Sequence, residues 1–238
     1  MTETTDIESI KPLINPKLYK VLSKEGIDEL RPVQQKSITA GLLENQNLLV
    51  CTPTASGKTL VAELAALNSI YEKKGKAIYI VPLKALASEK YNEFKKKYGH
   101  DTKIALSIGD LDNEEGYLAN YDLIITTAEK LDSLLRHHTP WLREVSTIIV
   151  DEIHLLNDVS RGPTLEILIT LLKQILKQVQ LVGLSATIGN STELAEWLEA
   201  KLVIDHWRPI KLLKGVALDN EIEFESQDEP ENSNNQNN

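Results

Sequence analysis

The chain has 238 residues and a net charge of −9, with 42% hydrophobic and 26% charged residues, which is ordinary soluble globular composition. No apolar run approaches the roughly 18 residues a membrane helix needs, and the acidic start MTETTDIESIKPL lacks the basic and apolar parts of a signal peptide. The lone Cys51 permits no internal disulfide, so no membrane contact and a cytoplasmic location are expected. Residues 219–238 carry seven acids and no Lys or Arg, so only −2 of the charge belongs to the first 218 residues. Such a body does not grip nucleic acid by bulk charge, but a local groove of a few cations and backbone amides remains open to it.

In chain order, residues 1–44 read as an N-terminal helical preface, helical over 16–44 with breaks at Gly26 and Arg31-Pro32. Short β-branched or apolar runs follow at 47–51, 77–81, 104–108, 122–126, 147–151, 180–184 and 201–205, most separated by helix-length segments. One helix carries Leu165, Leu168, Ile169, Leu172, Ile175 and Leu176 on a stripe, another Leu60, Leu64, Leu67 and Tyr71. This alternation predicts an α/β domain over 45–217, a parallel sheet with helices on both faces, whose ligands sit beyond the carboxyl ends of the strands. The acidic, Asn-rich segment 218–238 lacks the apolar content to fold and is expected to be disordered.

The first strand runs into Thr52-Pro53-Thr54-Ala55-Ser56-Gly57-Lys58-Thr59 and then a helix, the context a phosphate-binding loop requires. Loop and helix amides point at phosphates, Gly57 permits close approach, Lys58 neutralises β and γ oxygens, and Thr59 offers its hydroxyl to magnesium. Thr52 departs from the common Gly or Ala. Asp151 and Glu152 end the strand at 147–151; Asp151 suits a water-linked magnesium and Glu152 the attacking water, although two acids at a strand end also suit a solvated turn. Ser185 and Thr187 follow another strand, where their hydroxyls suit the acidic strand end. Gln34 offers an amide that fits an adenine edge, and equally an ordinary surface position.

Taken in order, these segments resemble the first RecA-like domain of a superfamily-two helicase of the Ski-type DExH branch. Gln34 matches the Q motif, TPTASGKT motif I, PLKALASEKYNEF motif Ia, TTAEKLDSLLRH motif Ib, DEIH motif II and SAT motif III. The stretch from GDLDNEEGYLANYD to DEIHLLND, with RGPTLE and HWRPIKLLKGV, is similar to the archaeal Hjm DNA repair helicases. The resemblance covers about residues 20–217. It implies a RecA-like P-loop NTPase fold, ATP as fuel with Mg2+ as cofactor, Lys58, Asp151 and Glu152 as catalytic residues, and hydrolysis coupled to movement on single-stranded or branched DNA. It also implies that Pro82, Leu83, Lys84, Thr126, Thr127, Glu129 and Lys130 line a single-strand track; helix capping is the other role open to Thr126 and Thr127.

Lys95, Lys96 and Lys97 read as a solvated helix face rather than a nucleic-acid contact, and Trp141, Trp197 and Trp207 as packing residues. His137 and His138 diverge on a helix and form no metal site. In the resembling family a second RecA-like domain supplies arginine fingers and is addressed by the residue matching His154. After SAT the only Arg is Arg208. The chain therefore reads as half of a helicase needing a second RecA-like domain or chain, with a stand-alone nucleotide-dependent binding module as the alternative.

Overall fold

All seven apolar runs are strands of one parallel sheet in the computed structural model, which describes residues 4–109, 116–137, 139–210, 215–218 and 221–224. They are β3 (Leu48–Cys51), β4 (Lys76–Val81), β5 (Ile104–Ser107), β6 (Leu123–Thr127), β7 (Val145–Val150), β8 (Gln180–Ser185) and β9 (Lys201–Ile204). Across the sheet the order is β5-β6-β4-β7-β8-β3-β9. Side chains alternate between two cores, as a strand period of two demands. Leu48, Val50, Tyr79, Ile125, Ile149 and Val182 face one core, and Leu49, Cys51, Ile78, Ile124, Ile148 and Leu181 the other.

The first core is covered by α1 (Pro16–Lys24), α2 (Pro32–Thr39), α3 (Lys58–Tyr71) and α4 (Lys84–Tyr98). The second lies under α5 (Ala128–Arg136), α6 (Gly162–Ile175) and α7 (Ser191–Leu198). In α3 every residue from Leu60 to Ser69 is buried, so this helix is a core element rather than an amphipathic surface one. Of the expected α6 stripe, Leu165, Leu168, Ile169, Leu172 and Leu176 are buried, but Ile175 is exposed because it lies furthest round the helix from the stripe's centre.

The N-terminal helices pack into the same core as the sheet. Residues 1–207 form one compact unit, and a two-stranded antiparallel ribbon, β1 (Thr5–Asp6) with β2 (Glu29–Leu30), adds to the expected helices. Asn15 caps α1 by accepting from the Lys17 N–H, Pro16 starts it, and Gly26 at φ +70° redirects the chain after it. The first compact unit runs to Trp207, and the second begins at Arg208. Within that second unit, β10 (Gly215–Leu218) and β11 (Glu221–Phe224) pair as an antiparallel hairpin. The expected disordered segment thus begins inside a strand, because Glu-Ile-Glu-Phe supplies the alternation that a hairpin needs. The rest of that segment lies outside the described residues.

Candidate nucleotide site

Four neighbouring strands, β4, β7, β8 and β3, bring their carboxyl ends to one rim of the sheet. The phosphate loop leaves β3 there. Gly57 sits at φ +106°, and a Cβ at that position would overlap Gln34 Nε2 and come within 3.0 Å of Arg31 Cδ. No other residue fits without moving the loop. Ala55 also has positive φ, at +64°, so the loop adopts left-handed backbone at two points.

Lys58 opens α3 and is only 11% exposed. Its Nζ donates to the Ser185 carbonyl at 3.1 Å and lies 4.0 Å from Glu152 Oε2. The Ser185 carbonyl also accepts from the Thr52 N–H at 3.2 Å, fastening the loop's first residue to the end of β8. Three hydroxyl oxygens around this loop, Thr52 Oγ1, Ser56 Oγ and Ser185 Oγ, are buried without a hydrogen-bond partner. Buried polar groups are ordinarily paired, so these hydroxyls leave hydrogen-bonding capacity around the loop. Ser185 therefore meets motif I through its carbonyl, and its hydroxyl does not bond the acidic strand end as expected. Thr187 is exposed.

At the end of β7, Asp151 is held from two sides. Its Oδ2 accepts from the Tyr79 hydroxyl at 2.9 Å, and its Oδ1 from the Glu152 N–H at 3.0 Å. Tyr79 is wholly buried in β4, and that burial, with the negative charge of Asp151 beside it, raises its pKa well above the usual 10. The phenol stays protonated and remains a donor. Glu152 adopts left-handed backbone at φ 50°, an unfavourable conformation for a side chain of this kind. This turns Glu152 toward Lys58, with His154 Nδ1 at 3.3 Å from the same carboxylate. Ile153 is buried under β8, where Gly183 leaves room: a Cβ there would come within 3.0 Å of Ile153 Cδ1.

Gln34 is buried, and its amide is engaged inside the protein. Oε1 accepts from the Arg31 N–H at 2.8 Å and Nε2 donates to the Gly57 carbonyl at 3.1 Å. It is not a surface residue, and through these two bonds it braces the phosphate loop. Arg31 does the same from the other side, donating from Nη1 to the Ala55 carbonyl at 2.7 Å. Neither Tyr79 nor Arg31 carried a motif signal; an aromatic inside an aliphatic strand and the Arg before Pro32 were the only marks.

Along the expected strand track, Leu83 and Lys84 are exposed and Pro82 half-buried at the start of α4. Thr126 does not belong to that surface: it is fully buried, and its hydroxyl donates to the Ser107 carbonyl at 2.7 Å. Thr127 is also buried and caps α5, its hydroxyl accepting from the Lys130 N–H. Lys130 is buried too, whereas Glu129 is exposed and shares a small cleft with Pro82, Asp151, Glu152 and Arg161. Lys97 is not simply solvated, since its Nζ binds the carboxylates of Glu63 and Glu93 at 3.0 Å each. Trp141 is a core residue, but Trp207 lies against the Arg31 guanidinium, 5.5 Å from centroid to Cζ. Trp197 sits half-exposed on α7. Burial raises the Cys51 thiol, as suits an unreactive core residue.

Among the described residues no cluster of three His, Cys, Asp or Glu is present, and His138 lies outside them. That donor set does not suit zinc, but it fits magnesium, which takes one or two protein oxygens and completes its shell with water and substrate phosphate. Asp151, Glu152 and Thr59, whose hydroxyl accepts from Lys90 Nζ at 3.4 Å, bring oxygens to this rim. No helix among the described residues is long and apolar enough to cross a membrane.

The chain is 54% identical over 203 residues to the ATP-dependent DNA helicase Hel308 of Pyrococcus abyssi, covering 85% of this chain and 28% of that protein. It is 56% identical over 217 residues to Hel308 of Methanocaldococcus jannaschii, covering 87% of this chain and 18% of that protein. It thus spans less than a third of the curated relatives it matches. Among solved structures, the DUF1998 helicase MrfA bound to DNA superposes with a TM-score of 0.74 at 28% identity, over 86% of this chain and 31% of that one. MrfA bound to DNA and AMPPNP gives 0.73 at 29% identity, over 86% and 30%. The seven-stranded sheet is a RecA-like P-loop NTPase fold. The family model for the DEAD/DEAH box helicases matches residues 31–195, from the arginine that braces the loop to the middle of α7, and the chain belongs to that family.

Proposed function

We propose that this chain is the ATP-binding and ATP-hydrolysing RecA-like half of a DNA helicase, acting on single-stranded or branched DNA together with a second RecA-like domain. The observation that carries the reading is the meeting of Lys58 and Glu152 at 4.0 Å across the rim, beside an Asp151 oriented by Tyr79. Loop amides and Lys58 hold the triphosphate, while Gln34 keeps the loop shaped for it and leaves one amide hydrogen for the adenine edge. Thr59 and Asp151 would hold magnesium, which supplies charge neutralisation at the β and γ phosphates when bound. Glu152 positions the attacking water and accepts its proton, and Lys58, nearby, stabilises negative charge on the γ-phosphate oxygens. Exposed Leu83 and Lys84 at the start of α4 face the nucleic-acid strand, in a mode that relies on backbone amides and needs little net positive charge.

Hydrolysis by the purified 238-residue chain, measured with and without single-stranded DNA, tests this. ATP should bind, and turnover should stay near background without a second domain, because a missing arginine finger costs about a thousandfold. Lys58→Ala should weaken ATP binding by more than about tenfold, since it removes a charge-assisted contact to phosphate. Glu152→Gln should abolish whatever turnover remains while leaving binding intact. A Lys58→Ala chain that held ATP as tightly as the parent would overturn the site.

A further inference from the structure

The two sides of Arg31 touch different parts of the protein. On one side Nη1 grips the Ala55 carbonyl at the crown of the phosphate loop, and its own N–H is held by Gln34, which in turn holds Gly57. On the other, its guanidinium lies over Trp207, the last residue of the compact unit that contains the site. Trp207 is itself fixed: its N–H donates to Asp205 Oδ1 at 2.6 Å, Asp205 Oδ2 pairs with Lys36 at 2.9 Å, and the Asp205 N–H donates to the Cys51 carbonyl at 3.1 Å. Asp205 is 4% exposed, so its carboxylate is a buried anchor, while its partner Lys36 is exposed at the surface. Both ends of the arrangement therefore terminate on β3 and its loop, and the Arg31 side chain spans from the Ala55 carbonyl to the indole.

We propose that Arg31 is a positioning residue that ties the conformation of the phosphate loop to Trp207, so that nucleotide occupancy is reported where the chain leaves the domain. The proposal rests on the nucleotide reading above and adds to it a route of regulation. A loop that draws its amides onto phosphate must move the Ala55 carbonyl or its partner, and a planar guanidinium bonded to that carbonyl and stacked on an indole transmits the shift as a change in stacking. A lysine at this position can keep the bond to Ala55 but has no plane to stack.

Fluorine NMR of the full chain labelled with 5-fluorotryptophan tests it, because the three tryptophans give three resonances. Trp207 is assigned by Trp207→Phe, and Trp197 on α7 serves as the internal reference. Binding of Mg-ADP and Mg-ATP is followed in parallel by calorimetry. The expected result is a shift of the Trp207 resonance that saturates with the calorimetric isotherm, while that of Trp197 stays in place. At saturating nucleotide Arg31→Ala should lose the Trp207 shift, with affinity lowered by about tenfold for the lost charge-assisted bond. Arg31→Lys should restore affinity but not the shift, a separation that a merely structural arginine would not give. Nucleotide binding with a Trp207 resonance that does not move in the parent overturns the coupling and leaves the nucleotide site standing. Absence of calorimetric binding overturns both.

Discussion

Tyr79 shows how much of this site depends on a side chain with no motif to announce it. It stands 72 positions before Asp151 in the chain and one strand away in the sheet, since β4 and β7 pair with Tyr79 opposite Ile149. Its hydroxyl fixes one carboxylate oxygen of Asp151, leaving the group oriented for a water-linked cation. Tyr79→Phe should lower stability by about 1 kcal/mol, the net worth of one hydrogen bond, and should raise the magnesium concentration needed for half-maximal nucleotide binding several-fold. Chemical denaturation and a magnesium titration read the two effects separately; a change in the first alone would make Tyr79 a packing residue. The loop and DEIH were legible in the sequence because each is a local string at the end of an apolar strand, whereas Gln34 on α2 was singled out only by the family resemblance. Tyr79, Arg31 and the inward turn of Thr126 were not, because each is defined by a partner far along the chain.

Among the elements, α3 and α4 are joined by a network that crosses their interface. Lys97 bridges Glu63 of α3 and Glu93 of α4, and Lys90 pairs with Glu93 at 3.0 Å while reaching Thr59 Oγ1 at 3.4 Å. Glu63 is 2% exposed, and burial pushes its carboxyl above the ordinary 4.5 despite the opposing pull of Lys97. For a carboxyl whose folded pKa lies above its unfolded one, the stabilising contribution is complete below the unfolded pKa and is lost as pH rises through the folded one. Glu63→Gln removes that loss. The variant's melting temperature relative to the parent should therefore climb as pH rises from the ordinary carboxyl value of 4.5 and level off once the folded carboxyl has ionised, as calorimetry at a series of pH values would show. All seven strands of the sheet were readable from period and punctuation, because a parallel sheet buried on both faces needs continuous apolar runs. The two-residue strands β1 and β2 were not, being too short for any period, and the β10–β11 hairpin was hidden by its glutamates.

At the scale of the whole molecule, every residue assigned to the nucleotide site lies within the unit 1–207. A chain ended after residue 210 should melt within a few degrees of the parent and bind nucleotide with the same affinity, which differential scanning fluorimetry and calorimetry would check. A large loss of either would place part of the site's support in the second unit. The strand order itself follows from no local pattern. The sequence predicts strands that alternate with helices, but the placing of β4 beside both β6 and β7 is decided by packing over the full length of the chain.

The two outermost strands, β5 and β9, are only four residues long, and Lys36 donates to the terminal carbonyl of β9 at Ile204. Sheets grow by recruiting foreign strands to a free border, and borders this short give an intruding segment few amides to grasp. The protein should accordingly stay dispersed when concentrated, without strand exchange or fibre formation.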